Sequence, residues 1–254
     1  MMNYDNFFQQ VEQVNICYKN YSLKIPLFYQ EMEFMSVLLL ASIERIKKIL
    51  PSSKMNPYRI TPWHTTISIT TYKYKKSDIG SYNEVIISIP ISINEAMPLF
   101  IGSLRKAPKK PMLYLHSVPV TAEIPRFLGV EIAGYPKFLA DINYLEEPEW
   151  LSCEVKVDNQ LILRLRGRKL KTKTIARSYL NPISYRNGFL LRSELIMSQR
   201  ETGISQANES VDLVLGQHSL AEELKQLNLG RILQYQYCPS ARAILTVPCE
   251  SFRG

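Results

Sequence analysis

Cysteine and histidine are scarce in this sequence, and their spacing excludes several kinds of site. The three histidines, His64, His116 and His218, show no H-x-H or H-E-x-x-H spacing, so no histidine-rich metal site is predicted. No C-x-x-C pair occurs, and the cysteines are too few and too scattered for a disulfide framework. We therefore expect reduced thiols and a cytoplasmic protein. The four cysteines are Cys17, Cys153, Cys238 and Cys249.

Long apolar runs and common cofactor motifs are also missing. The most apolar run, Phe34 to Ile43, leads into charged residues and is too short to span a bilayer, so no membrane helix is predicted. The start, Met1 to Asp5, has no basic segment before an apolar one, and no secretory signal is expected. The sequence contains no G-x-S-x-G, P-loop or G-x-G-x-x-G motif, which favours a protein without a cofactor.

The length and charge set further limits. A chain of 254 residues without an internal repeat or a long linker is expected to form a single domain, residues 1–254, with a sizeable core. The net charge of +8 would attract a small anionic substrate and does not by itself indicate nucleic-acid binding.

The first fifth of the chain is predicted to be largely helical. Apolar residues recur at spacings of three and four over Asn6 to Tyr18, which predicts an N-terminal helical arm within residues 1–20. Leu23 to Tyr29 alternates like a strand, with Pro26 at an edge or bulge. Glu33 to Leu50 is read as a second helix with a charged outer face.

The remainder is predicted to be mostly strands. Thr65–Lys75 and Val85–Ile93 form an expected hairpin, and Asp158-Asn159 marks a second, tight one. A helix is predicted from His218 to Leu227, with Ser219 as its cap. About ten strands against three helices indicate a β-rich α+β domain. The other predicted elements are a helical turn at Glu123–Leu128 and strands at Leu113–Val120, Leu151–Val157, Gln160–Arg168, Gly188–Met197, Val211–Leu215, Arg231–Tyr237 and Arg242–Val247.

Two basic segments have competing interpretations. Arg164, Arg166 and Arg168 share one strand face, and lysines up to Lys173 extend them into a basic stripe. This stripe is either a solvated outer face, a subunit interface or a polyanion-binding surface. The loop Arg105–Pro111 is an ordinary surface loop, a lid or an anion-attracting rim.

One stretch, Gly129 to Ala140, contains a lysine in apolar surroundings. Lys137 follows Tyr135-Pro136 and precedes Phe138. Burial disfavours a charged ammonium, and a neutral lysine amine attacks carbonyl groups to form imines. The alternative is a lysine whose stem lies on apolar surface while its head reaches water.

Three segments together resemble the acetoacetate decarboxylase family. Gly-x-Glu-Ile-x-Gly-Tyr-Pro-Lys, ending at Lys137, resembles the segment that carries the family's Schiff-base lysine. Asp78-Ile-Gly-Ser-Tyr-Asn-Glu84 looks like the family's Asp-x-Gly-x-Tyr-x-Glu segment, whose Glu lies in the active site. Val214 to Leu220 resembles a C-terminal segment. The resemblance extends roughly from residue 30 to residue 248.

The resemblance implies a fold and an activity. The fold would be a mixed or antiparallel, cone-like closed β-barrel with a few peripheral helices and the lysine facing an interior cavity. The activity would be cofactor-independent decarboxylation of a β-keto acid in a homo-oligomer, with Lys137 as the Schiff base and Glu84 in acid–base chemistry or positioning. The further candidates for the substrate pocket are Glu131, Tyr135, Phe138 and His116.

The sequence departs from the family pattern at two positions. Phe138 stands where authentic decarboxylases usually have a second lysine, and Val130 stands where they have an arginine. Without a neighbouring cation, an apolar pocket must keep the amine of Lys137 neutral. The alternatives are another Schiff-base lyase of the aldolase or dehydratase kind, a non-catalytic small-molecule binder, and a polyanion-binding protein.

Overall fold

Strands dominate a computed structural model of the chain, which describes residues 6–9, 11–94 and 110–254. Within these residues the helices are α1 (Ile43–Ile49), α2 (Glu123–Glu131) and α3 (Ser219–Gln226). The strands are β1 (Val14–Tyr18), β2 (Tyr21–Ile25), β3 (Leu27–Ser42), β4 (Met55–Pro57), β5 (His64–Ser77), β6 (Tyr82–Ile93), β7 (Met112–Val120), β8 (Lys137–Leu139), β9 (Asp141–Glu146), β10 (Trp150–Val157), β11 (Gln160–Arg168), β12 (Ser178–Arg186), β13 (Phe189–Arg192), β14 (Leu195–Ser205), β15 (Val211–Leu215), β16 (Ile232–Leu245) and β17 (Glu250–Arg253).

Seven strands close into a ring, which we call the barrel. Its order is β12-β14-β16-β3-β5-β6-β7. Neighbours in this order are antiparallel, and a parallel pairing of β7 with β12, from Met112 to Tyr114 against Asn181 to Ile183, completes the circle. β8 continues the sheet beyond β7 in parallel. The prediction of a β-rich α+β fold built on a closed, mixed barrel is confirmed.

A second sheet covers part of the barrel from outside. This outer sheet has the order β15-β11-β10-β9. Its buried residues, such as Leu151, Val155 and Leu165, join one core with Val37 of β3 and Ile87 of β6. The outward face of β3, β5 and β6 is therefore buried, and the inward face is left to line the interior.

Local turn chemistry fixes the predicted hairpins. Asp158 and Asn159 have φ angles of 48° and 62°, the left-handed values that a two-residue hairpin turn requires. β10 and β11 pair on either side of this turn. β5 and β6 pair as expected, with Tyr72 opposite Glu84.

The predicted helix from Glu33 to Leu50 is wrong over most of its length. β3 runs as a strand of 16 residues to Ser42, and only α1 is helical. Met35, Val37 and Leu39 are buried against the outer sheet, while Phe34 and Ser36 line the interior. A strand with apolar residues on both faces shows no alternation, so its sequence can be mistaken for that of a buried helix.

The predicted N-terminal helical arm is also corrected. Val14–Tyr18 is a strand paired with β2, and the described residues before it form a turn in which Phe7 is buried. A hairpin partner supplied by the next segment decides the conformation here. β2 and β3 are separated at Pro26, as the expected edge or bulge suggests.

Several C-terminal boundaries differ from the prediction. The two strands expected at Arg231–Tyr237 and Arg242–Val247 are one strand, β16, whose register shifts on both partners near Ser240 and Ala241. Gly188–Met197 divides into β13 and β14. β12 was not predicted, because Asn181-Pro182 resembles a turn signal. Most of the basic loop expected at Arg105–Pro111 lies outside the described residues.

The layer between barrel and outer sheet provides a test of the core. Ile87 is fully buried there, so Ile87→Ala should lower the free energy of unfolding by about 2–5 kcal/mol. The matched control is Leu145 on β9, which is 63% exposed. Leu145→Ala should change the free energy of unfolding by less than about 0.5 kcal/mol. Urea denaturation measures both, and equal effects would contradict this assignment of the core.

Candidate active site

Lys137 and Glu84 meet inside one end of the barrel. Lys137 begins β8 opposite Val118 of β7, and Glu84 lies on β6 opposite Val120. The Lys137 Nζ donates a hydrogen bond to the Glu84 Oε2. Their side chains are only 6% and 5% exposed. A buried ion pair of this kind costs desolvation energy that a purely structural role does not require.

The turn between α2 and β8 aims the lysine inward. Gly134 adopts a left-handed φ of 64°, and the Tyr135 backbone N–H donates to the Gly129 carbonyl at 2.9 Å. The Arg186 guanidinium of β12 donates to the carbonyls of Val130 and Glu131. The end of α2 is therefore tied to the barrel wall from which the lysine projects.

Gly129 leaves room for the aliphatic part of the Lys137 side chain to pass close to α2. A Cβ at this position would lie 2.5 Å from the Lys137 Cδ and 2.6 Å from its Cε. The stem therefore crosses α2 at a point where no side chain fits. The sequence comparison used Gly129 only as part of a motif, whereas the structure gives it a direct role in placing Lys137.

Tyrosines surround the charged pair. The Tyr74 hydroxyl donates to the Glu84 Oε1 at 3.4 Å, and the Tyr82 hydroxyl donates to that of Tyr29 at 3.3 Å. The Lys137 Nζ lies 5.9 Å from the ring centroid of Tyr82 and 6.0 Å from that of Tyr135. The predicted pocket residue Tyr135 is therefore close to Lys137, whereas the roles of Tyr29, Tyr74 and Tyr82 were missed.

Burial keeps these phenols protonated. Loss of solvation raises the pKa of each one, and the negative charge of Glu84 raises it further, because either effect disfavours a phenolate. The hydroxyls therefore remain neutral hydrogen-bond donors around the Lys137–Glu84 pair. The affected residues are Tyr29, Tyr72, Tyr74, Tyr82 and Tyr135.

This cluster predicts a loss of stability at alkaline pH. Tyrosines in the unfolded chain release protons near pH 10, whereas the buried ones have a raised pKa and keep theirs. The stabilising contribution is complete below about pH 10 and is lost as the pH rises above it. As the pH is raised, the absorbance of tyrosinate should therefore increase over the same pH range in which the protein unfolds. Ionisation of the cluster in a protein that remains folded would contradict this prediction.

The pair faces a cavity that is almost entirely neutral. Two adjoining spaces, each about 490 Å³ when their open sides are counted, share Tyr29, Tyr135, Lys137 and Leu245 as lining residues. Among the described residues that line them, Lys137 is the only cation and Glu84 the only anion. This is a concave, mainly apolar site with a few converging polar groups, as small-molecule sites usually are.

Three of the predicted pocket residues lie elsewhere. Phe138 points to the opposite side of β8 from Lys137, because successive strand residues alternate, and it packs against the outer core. His116 lies on the outside of β7, with its Nε2 3.2 Å from a Glu223 carboxylate oxygen. Glu131 accepts hydrogen bonds from Tyr18 and Lys19, so it anchors the β1–β2 hairpin to α2.

The other singled-out groups have local partners. His218, and not Ser219, caps α3, since its Nδ1 accepts from the Leu220 N–H at 3.2 Å. In the basic stripe, Arg166 pairs with Glu147 and Lys169 with Glu146, which partly neutralises that face. Within the described part of the chain, no three His, Cys, Asp or Glu side chains are placed to hold a metal ion. No helix there is long and apolar enough to cross a membrane.

Comparisons with known proteins agree with this fold. The family model described as acetoacetate decarboxylase matches residues 18–242. A solved acetoacetate decarboxylase from Legionella pneumophila is 16% identical with a TM-score of 0.65, and the match covers 88% of this chain and 86% of that one. No curated protein matched the sequence.

Other solved structures share the fold at similar distance. One described as an acetoacetate decarboxylase is 14% identical with a TM-score of 0.62, over 90% of this chain and 89% of that one. The enduracididine biosynthesis enzyme MppR, solved with pyruvate, is 11% identical with a TM-score of 0.61, over 94% of this chain and 97% of that one. At these identities the likeness extends to the fold alone.

Proposed function

Because the chain belongs to the acetoacetate decarboxylase family, we propose that it decarboxylates a β-keto acid, such as acetoacetate, through a Schiff base on Lys137 and without a cofactor. The observation that carries this proposal is the buried Lys137–Glu84 pair facing a neutral cavity. It provides an amine, a proton acceptor beside it, and a mainly apolar lining around both.

The reaction begins with imine formation. A proton passes from the Lys137 ammonium to Glu84 within their hydrogen bond, leaving a neutral amine that attacks the ketone carbon. The carbinolamine loses water and becomes a protonated imine. Glu84 returns a proton to the departing hydroxyl, which is general acid catalysis by a group already in position.

Carbon dioxide then leaves. The bond between the α-carbon and the carboxylate breaks, and its electron pair moves into the imine to give an enamine. Protonation at carbon and hydrolysis release the ketone and restore the amine. The described lining residues offer no second cation to hold the carboxylate, so its charge is poorly stabilised before the bond breaks and disappears as it breaks.

The proposal is tested by reductive trapping. The protein is incubated with acetoacetate, reduced with borohydride and digested, and the adduct is mapped by mass spectrometry while evolved CO2 is measured. An adduct on Lys137 with CO2 supports the proposal. An adduct without CO2, from acetoacetate or pyruvate, would favour the aldolase or dehydratase alternative, since one neighbour was solved with pyruvate. No adduct with any oxo acid would favour a non-catalytic binder.

Glu84→Gln should slow turnover without unfolding the protein. The amide keeps the shape but cannot exchange a proton, and general acid–base groups contribute about 10²–10⁴-fold in rate. Glu33→Gln is the control, since Glu33 is an equally buried carboxylate that pairs with Lys75 and does not line the cavity. Steady-state kinetics on both variants measures this, and equal rates would remove Glu84 from the chemistry.

A further inference from the structure

The barrel interior continues past the Lys137–Glu84 pair. All seven barrel strands contribute residues to a space of about 800 Å³, counted with its open end, which we call the chamber. The chamber and the Lys137 cavity share five lining residues, which we call the collar: Tyr72, Ile86, Leu115, Pro182 and Leu195. The two spaces are therefore adjoining parts of one interior.

The polar groups of the chamber differ in kind from those of the Lys137 cavity. They are serine and threonine hydroxyls and glutamine amides, set among the apolar side chains Phe34, Leu113, Leu180 and Met197. Hydroxyl and amide groups face this space in hydrogen-bonded pairs, beginning with Thr70, which pairs opposite Ile86 of the collar. Ser36 pairs with Thr70 at 2.8 Å and Ser68 with Ser88 at 2.7 Å. The Gln236 amide donates to Gln199 at 2.7 Å, and Gln199 donates to Ser178 at 3.0 Å.

These pairs leave hydrogen-bonding capacity for a ligand. A serine or threonine hydroxyl has one donor and two acceptor sites, and one mutual bond does not fill them. None of the described residues that line the chamber is charged. An apolar chain placed here would displace water from the hydroxyls and leave their hydrogen bonds to water unreplaced. A hydroxylated chain would replace those hydrogen bonds.

The spacing of residues along β6 gives the distance between the Lys137–Glu84 pair and the polar groups of the chamber. Glu84, Ile86 and Ser88 are successive inward positions. Inward positions are about 7 Å apart along a strand, which puts Ser88 about 13 Å from Glu84. Along β6 the order is therefore Glu84 at the reactive centre, the apolar Ile86 of the collar and the hydroxyl of Ser88 in the chamber.

We infer that the substrate is a medium-chain oxo acid whose chain crosses the collar and ends in an uncharged hydrogen-bonding group, such as a hydroxyl, in the chamber. This inference rests on the proposed function and specifies the substrate class of the same site. In a ten-carbon 3-oxo acid, seven bonds separate the carbonyl from the terminal carbon and span about 8 Å when extended. That length reaches past Ile86, about 7 Å from Glu84 along β6, to Thr70, which pairs opposite Ile86 on β5.

The test compares 10-hydroxy-3-oxodecanoate with 3-oxodecanoate. We expect kcat/KM to be about tenfold higher for the hydroxylated acid, the gain of one or two buried hydrogen bonds. Thr70→Val and Gln236→Leu should each reduce this ratio towards one. Thr71→Val is the matched control, because Thr71 is the buried neighbour of Thr70 on β5 and lies outside the chamber lining. A wild-type ratio of one or less would overturn the inference.

A second measurement separates the inference from the proposed function. Neither 3,10-dihydroxydecanoate nor 3-hydroxydecanoate has a ketone, so neither forms an imine, and calorimetry reports their binding alone. Tighter binding of the dihydroxy acid, lost in Thr70→Val and kept in Thr71→Val, supports the chamber even if no oxo acid is trapped on Lys137. Equal binding of the two acids would overturn the chamber assignment even if acetoacetate is decarboxylated.

Discussion

Lys137→Met is expected to abolish adduct formation with oxo acids and to lower decarboxylation by a thousandfold or more, on the order seen when a covalent nucleophile is removed. The reason is that the proposed imine forms at the Lys137 Nζ, and no other amine lines the described cavity. Borohydride trapping and CO2 release measure the two effects. Unchanged turnover in this variant would end the Schiff-base proposal.

The same substitution leaves Glu84 without its cation. Removing one member of a buried pair costs about 3–5 kcal/mol when the other remains charged, and both side chains here are nearly inaccessible. The double variant Lys137→Met/Glu84→Gln removes the remaining charge and should recover most of the stability while staying inactive. Urea denaturation of the single and double variants thus distinguishes lost chemistry from lost folding.

Gly129→Ala should lower kcat/KM by about a hundredfold, the effect of moving a reacting group by about 1 Å. The added methyl group would lie 2.5 Å from the Lys137 Cδ, so the lysine stem must shift and its amine leaves its place beside Glu84. Alanine is the better helix former by about 0.8–1.0 kcal/mol. The helix itself therefore gives no reason for a loss of activity.

Val130→Ala is the matched control for this substitution. Val130 is the next residue of α2 and does not line the cavity around Lys137. The Val130→Ala variant should retain activity near that of the wild type. Circular dichroism and the yield of trapped adduct should be followed with the kinetics. A Gly129→Ala variant with full activity would show that the stem can pass α2 by another path.

Local signals in the sequence predicted much of the fold. The Asp158-Asn159 turn and the β5–β6 hairpin are set by residues next to each other in the chain, so short patterns were sufficient. The conformation of β3 could not be predicted from short patterns of this kind. Its two faces are buried by different partners, the outer sheet and the barrel interior, and that arrangement is not encoded within the segment itself.

The candidate site was only partly predictable for a related reason. Lys137 and Glu84 were found through their motifs, and the structure brings them together across 53 residues. The patterns Tyr72-x-Tyr74 and Tyr82-x-Glu84 place each pair on one strand face, which was a usable signal for the tyrosine cluster. Phe138 and His116 were also candidates for the pocket, but strand alternation turns Phe138 away from Lys137, and His116 faces outward.

The position of β16 has a consequence for the chain during translation. β16 pairs with β3 on one side and β14 on the other, so the ribosome must release residues through Leu245 before the barrel can close. Until then β3 and β14, of 16 and 11 residues, each present an unpaired edge on which other chains could assemble. A nascent chain cut short before β16 would therefore lack the cavity altogether, and would be a substrate for chaperones or proteases.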